Sequence, residues 1–263
     1  NAGKIMDLKL SGQTALVTGA SRGIGLAIAQ EFAREGVHLH LAARTAADLE
    51  SARAAVLAAG NVKVECHALD LSDGANVAEL AKRCAGVDIL VNNAGAIPSG
   101  NLDAVTATRW RDGWELKVFG YIDLTRELYA RMCQRKAGVI INVIGIAGER
   151  ALAHYIAGTT GNAGLMAFTR AMGGTTPNFG VRVLGINPGL IQTERMVNLA
   201  RDNAKAKYGD PERWQEVLSA QLERLPFKRA GKPEEVGDVA AFLASDRAGY
   251  VSGTILNIDA GNS

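Results

Sequence analysis

Only three of the 263 residues are cysteine, and Cys66, Cys84 and Cys133 form an odd set with no CxxC spacing. That excludes a thiolate zinc cluster and fits a reducing compartment. No excess of either charge exists: 29 Lys and Arg stand against 27 Asp and Glu, a net +2. Such balance excludes a nucleic-acid or membrane footprint built on bulk charge, so any anionic partner must be met locally. No apolar run approaches the ~18 residues of a membrane span, and Asn1–Asp7 is too short and polar for a signal peptide. The expectation is a soluble, cytoplasmic protein with neither nucleic acid nor membrane as partner. Residues 1–7 are read as a disordered or tag-derived start without a functional role, because Met6 resembles a natural beginning. Of the four histidines, His38, His40 and His67 lie on strands at no ligand spacing, so no metal is expected.

What is present is apolar and rhythmic. A hydrophobic fraction of 48% excludes disorder, and the length suits one large α/β domain, here 1–263. Short apolar runs (Thr14–Thr18, Val37–Ala42, Val62–Ala68, Ile89–Asn92, Gly138–Val143, Val181–Ile186, Thr254–Ile258) alternate with helical stretches (Ile24–Arg34, Thr45–Ala58, Ala75–Cys84, Thr106–Arg135, His154–Ala171, Pro233–Ala244). Seven strands alternating with helices predict a parallel sheet covered on both faces. The charged excursion from Glu194 to Arg229 interrupts the rhythm. Its spaced anchors suit two short helices broken at Gly209-Asp210-Pro211, either a substrate lid or a solvated hairpin on the sheet edge.

The first strand runs into Thr18-Gly19-Ala20-Ser21-Arg22-Gly23-Ile24-Gly25, which opens a helix. Glycines so spaced let the backbone turn tightly and approach a pyrophosphate at the positive end of the helix dipole. TGASRGIG resembles the cofactor fingerprint of the short-chain dehydrogenase/reductase family. Asp70-Leu71, Asn92-Asn93-Ala94-Gly95, Asn187-Pro188-Gly189 with Thr193, and Pro233-Glu234-Glu235 to Ser252-Gly253 agree in order and spacing, so the similarity spans about Leu8 to Gly261. The resemblance implies a single-domain Rossmann-type doubly wound sheet in the order 3-2-1-4-5-6-7, a nicotinamide cofactor and a homodimer or homotetramer. It also implies Asp70 and Leu71 at the adenine, Asn93, Ala94 and Gly95 along the ribose, and Pro188, Gly189, Ile191 and Thr193 at the nicotinamide.

Charge selects the cofactor. A carboxylate ending the second strand would bind the ribose hydroxyls of NAD(H) and repel a 2′-phosphate. This strand ends Ala42-Ala43-Arg44-Thr45, and Arg22 sits in the glycine turn; the pair of guanidiniums favours NADP(H) over NAD(H).

The family's reaction is hydride transfer between nicotinamide and a ketone or secondary alcohol, with a tyrosine moving the proton. Tyr155 stands in the right place. The residue four further on, where the family carries lysine, is Thr159, which would fill space or bond a ribose. The serine position falls on Gly145, no Ser or Thr lies between Gly138 and Tyr155, and the asparagine position on the long helix falls on Lys117. A tyrosine in water titrates near 10, so neutral-pH work needs a nearby cation. Lys117 either reaches Tyr155 across the facing helices or turns to solvent, Asp123 or Glu115. Gly158, Gly161 and Gly164 form a stripe that would admit a closely packed helix, consistent with the implied oligomer. Two functions follow: an NADP(H)-dependent oxidoreductase of small carbonyl or alcohol substrates, or an NADP(H)-binding protein with little dehydrogenase activity.

Overall fold

The computed structural model describes residues 6–263. The expectation for residues 1–5 lies outside the described residues, whereas Asp7 is tied down: its carboxylate accepts the Lys9 amide at 2.8 Å, and its carbonyl accepts Arg247 Nε at 2.8 Å.

Seven strands, β1 (Thr14–Thr18), β2 (His38–Ala43), β3 (Val64–Ala68), β4 (Ile89–Asn92), β5 (Gly138–Val143), β6 (Val181–Pro188) and β7 (Ile255–Ile258), pair in parallel in the order 3-2-1-4-5-6-7. Alternate residues of a strand face opposite sides, and that alternation builds two cores. Ala15 and Val17 of β1 join Ile28 and Phe32 of α1 (Gly23–Arg34) and Val236 and Ala240 of α9 (Pro233–Ala244). Leu16, between them, faces Leu80 of α3 (Gly74–Arg83) and Leu124 and Leu128 of α5 (Gly120–Arg135). All four residues of β4 are buried, which a strand covered on both faces requires. The remaining helices are α2 (Ala46–Ala59), α4 (Ala107–Trp114), α6 (Ile156–Thr175), α7 (Glu194–Tyr208) and α8 (Trp214–Leu222).

Three departures from the sequence expectation occur around the site. The long helix is not continuous: Glu115–Phe119 forms a π turn between α4 and α5, with Lys117 at its centre. The helix expected from His154 begins at Ile156, leaving Tyr155 in its N-cap position with φ −138° and ψ 41°. The glycine stripe also divides. A Cβ on Gly158 would overlap the Tyr155 ring, Gly161 faces Val118, Trp114 and Ile97, and only Gly164 has nothing within 4 Å.

Adjacent strands β1 and β4 send their crossover helices to opposite faces, which opens a crevice at their carboxyl ends. A buried polar relay stiffens its floor. Asn92 Nδ2 donates to Thr125 Oγ1 at 3.0 Å and Asn142 Oδ1 at 2.9 Å, and Asn142 Nδ2 donates to Thr169 Oγ1 at 2.9 Å.

Candidate active site

The glycine turn is braced from β4. Asn93 Nδ2 donates to the carbonyls of Thr18 at 3.0 Å and Gly19 at 3.2 Å, while Thr18 Oγ1 accepts the amides of Asn93 and Ala94 at 2.9 and 3.1 Å. Gly19 and Gly23 have φ of +63° and +57°, values a side chain would strain, and a Cβ on Gly25 would overlap the Gly19 carbonyl. No side chain caps α1, so its first amides are left for a ligand. In front lies a cleft of about 770 Å³ lined by Gly19, Ser21, Arg22, Gly23, Ile24, Arg44, Leu71, Asn93, Ala94, Gly95 and Thr193. Gly-shaped backbone, open helix amides and two guanidiniums suit a dinucleotide's pyrophosphate and an anionic ribose substituent.

Two of the expected cofactor residues, Gly25 and Asp70, do not line the cleft. Gly25 lies beneath the turn. Asp70 accepts the Ser72 amide at 3.0 Å and hydroxyl at 2.8 Å; these bonds, with a lesser contribution from Arg44, hold its carboxyl below the usual range. Arg22 is also engaged: its Nη1 bonds Glu194 of α7 at 2.6 Å, an ion pair exposed on both sides.

The cleft continues into a second chamber of about 580 Å³, which shares Ile24, Asn93, Gly95 and Thr193 and adds Tyr155, Lys117, Pro188, Gly189 and Ile191. Tyr155 is held by the loop after β4, whose Gly100 amide donates to the His154 carbonyl at 2.8 Å and whose Gly100 carbonyl accepts the Ile156 amide at 3.3 Å. His154, outside the helix, lines the chamber as well. Gly145, with φ +121°, presents no hydroxyl; the hydroxyls that line the chamber with Tyr155 are those of Ser99 and Thr193.

Lys117 enters the chamber, but its ammonium does not bond the phenol. Nζ donates to the Ile144 carbonyl, and burial, with Arg195 nearby, lowers its pKa from 10.5 to about 7. The cation that does bond Tyr155 is Arg195, whose Nη2 donates to Tyr155 Oη at 3.0 Å and to the Ile97 carbonyl at 3.2 Å. Sequence reasoning passed over Arg195 because on α7 it is one charged residue among many. Thr159 caps the turn before α6, accepting the Leu152 amide at 3.1 Å. The excursion forms the two expected helices, α7 and α8, joined by a 3₁₀ turn at Pro211–Arg213.

Away from the crevice, strand pairing gathers what spacing concealed. His40 Nδ1 lies 2.9 Å from His67 Nε2, and Cys84 Sγ lies 3.8 Å from the same nitrogen. Burial lowers both imidazoles and pushes the Cys84 thiol up to about 12.

A parallel sheet with a ligand crevice at its switch point, a glycine turn and a tyrosine at the crevice's far end define a dinucleotide-dependent oxidoreductase fold. The short chain dehydrogenase family model matches residues 13–204, and this chain belongs to that family. It is 32% identical over 268 residues to the oxidoreductase UcpA of Escherichia coli K12, covering 97% of this chain and 96% of that protein. It is similar to L-sorbose reductase from Gluconobacter frateurii, solved with NADPH and L-sorbose, at a TM-score of 0.89 and 34% identity over 97% of this chain and 98% of that one. NAD⁺-bound xylitol dehydrogenase superposes with a TM-score of 0.89 at 25% identity, covering 96% of this chain and all of that one. Among the described residues no helix is long and apolar enough to cross a membrane.

Proposed function

We propose that this chain is an NADP(H)-dependent oxidoreductase that interconverts a ketone and a secondary alcohol, with Tyr155 as the proton-transfer group. The observation that carries the reading is the Tyr155 hydroxyl held by Arg195 in a chamber continuous with the glycine-turn cleft. L-sorbose reductase, solved with NADPH, supports the cofactor, as do Arg44 and Arg22 on the cleft wall and the absence of an acid at the end of β2.

The glycine turn would hold the pyrophosphate, Arg44 and Arg22 the 2′-phosphate, and Pro188–Thr193 the nicotinamide end. The bound cofactor supplies the hydride. Tyr155 Oη donates its proton to the substrate oxygen during reduction and takes it back in the reverse direction. Arg195, hydrogen-bonded to that oxygen, stabilises the phenolate charge left behind; Lys117, in its protonated form, adds positive potential from the chamber wall. In this reading Arg195 and Lys117 divide the electrostatic work a single lysine does in the family pattern, and α7–α8 is the lid that excludes water. The implied homodimer or homotetramer belongs to the same reading, with Gly164 as the open part of the glycine stripe.

The alternative, a dinucleotide-binding protein without turnover, draws on one observation: Gly145 has no hydroxyl to hold a substrate oxygen. NADPH oxidation measured against ketones, diketones and acyl thioesters separates the two. Tyr155→Phe is expected to lower kcat/KM by about 10²-fold or more, with NADPH binding retained. A fully active Tyr155→Phe, or NADPH binding with no turnover on any carbonyl, overturns the enzyme reading. Replacing Arg22 and Arg44 together should weaken NADPH far more than NADH; equal losses overturn the cofactor preference.

A further inference from the structure

The chamber around Tyr155 is one-sided in charge. Lys117, Arg150, Arg195 and Arg224 line it, and among the described residues no aspartate or glutamate does. In a chain with nearly equal numbers of acids and bases, three guanidiniums and the Lys117 amine facing one 580 Å³ space without a described carboxylate is a local excess. Among the described residues none of the four forms an ion pair, although Arg22, Arg34, Arg53, Arg83, Arg126 and others do. Three spend their donors on neutral oxygens: Lys117 on Ile144 O, Arg195 on Ile97 O and Tyr155 Oη, and Arg150 on Asn262 O at 2.8 Å. Arg224, in the turn after α8, has no hydrogen bond from its guanidinium to any described residue. Arg150, Arg195 and Arg224 are exposed to solvent as well as lining the chamber, so they set a positive potential on its open side, where an incoming ligand meets it.

The dinucleotide's own phosphates do not answer this charge under the reading above. They belong at the glycine turn in the neighbouring cleft, while the end of the cofactor that reaches this chamber carries no negative group. A negative group on the substrate is the partner this charge favours. We infer that the substrate is a small carbonyl compound, or its alcohol, bearing a carboxylate or phosphate, whose anionic head is gripped by Arg224 and Arg150 while its reacting oxygen meets Tyr155. A guanidinium matches either head with paired hydrogen bonds, and the approach of an anion would be steered by the same field. Arg195, next to the phenol, would sense both ends of such a molecule.

This inference rests on the oxidoreductase reading, and the test separates the two. NADPH oxidation is measured with 2-oxopentanoate and 4-oxopentanoate, each beside its methyl ester, and with dihydroxyacetone phosphate beside dihydroxyacetone. At least one anion should exceed its neutral partner by tenfold or more in kcat/KM; the pair in which this happens tells carboxylate from phosphate. That ratio should collapse toward one in Arg224→Gln, return in part in Arg224→Lys, and shrink as ionic strength rises. Neutral partners reduced as well as the anions, with the ratio unmoved by Arg224→Gln, would overturn the charge assignment and leave the reductase standing. If no member of any pair is turned over, calorimetric titration of the same compounds into the NADP⁺-loaded protein decides: binding confined to the anions upholds the charge assignment without turnover. Equal binding, or none, overturns it.

Discussion

Lys117 is an amine with one hydrogen-bond acceptor in a buried place, and it titrates near 7 because burial favours its neutral form. The consequence for stability has a definite sign. The unfolded chain keeps this proton up to about 10.5 whereas the folded chain releases it near 7, so between these values the unfolded state binds more protons and stability rises with pH. Below 7 the full cost of the buried charge is present. Lys117→Met is therefore expected to melt higher than the parent at pH 6, with the gap closing as pH climbs toward 10, while its turnover falls about tenfold or more. A gap independent of pH in thermal melts would show that the ammonium is not the source. The same position was legible as unusual in the sequence, a lysine where the family pattern has asparagine. Its partner was not: that Nζ would meet Ile144 O while Arg195 took the phenol depends on where α7 lies over the sheet, and no local pattern in Glu194–Tyr208 encodes that.

At the scale of elements, the strands were readable because parallel strands buried on both faces are short unbroken apolar runs; β1, β4 and β5 have the bounds their sequences suggest. The irregular pieces were not. Tyr155 falls before α6 because the loop after β4 ties down its neighbours through Gly100, a contact about fifty-five residues away in sequence. The His40–His67 contact likewise arises from the pairing of β2 with β3. The π turn at Glu115–Phe119 leaves no periodic trace, since it amounts to one extra residue in an amphipathic stretch. It nonetheless sets the facing of Lys117 and of Trp114, whose Nε1 donates to the Ala157 carbonyl at 3.0 Å. Deleting Phe119, which is exposed, would let the helix close into regular α form and swing the residues before it by about 100°. The expected product is a folded, fully helical protein by circular dichroism that binds NADPH and has lost turnover. Retained activity would show that the turn does not position the chamber.

For the whole molecule, two adjacent residues at the start of α7 serve both chambers: Glu194 lines the glycine-turn cleft, and Arg195 lines that cleft and the chamber of Tyr155. Glu194 holds Arg22 beside the glycine turn, and Arg195 holds the Tyr155 hydroxyl. The Arg22–Glu194 pair is exposed and contributes at most about 1 kcal/mol, so a competing anion displaces it readily. One helix end thus answers to both ligands, and this imposes a queue. A dinucleotide that engages Arg22 acts on the end of α7 and so on the Arg195–Tyr155 pair that the substrate oxygen is to meet, which puts the cofactor first. Steady-state kinetics should therefore show compulsory order, with oxidised cofactor competitive against NADPH and the alcohol product noncompetitive against it. Competitive inhibition of NADPH by the alcohol product would mean that the two arrive independently. The α7 helix, the lid in the reading proposed above, would then also be the device that decides which ligand is admitted first.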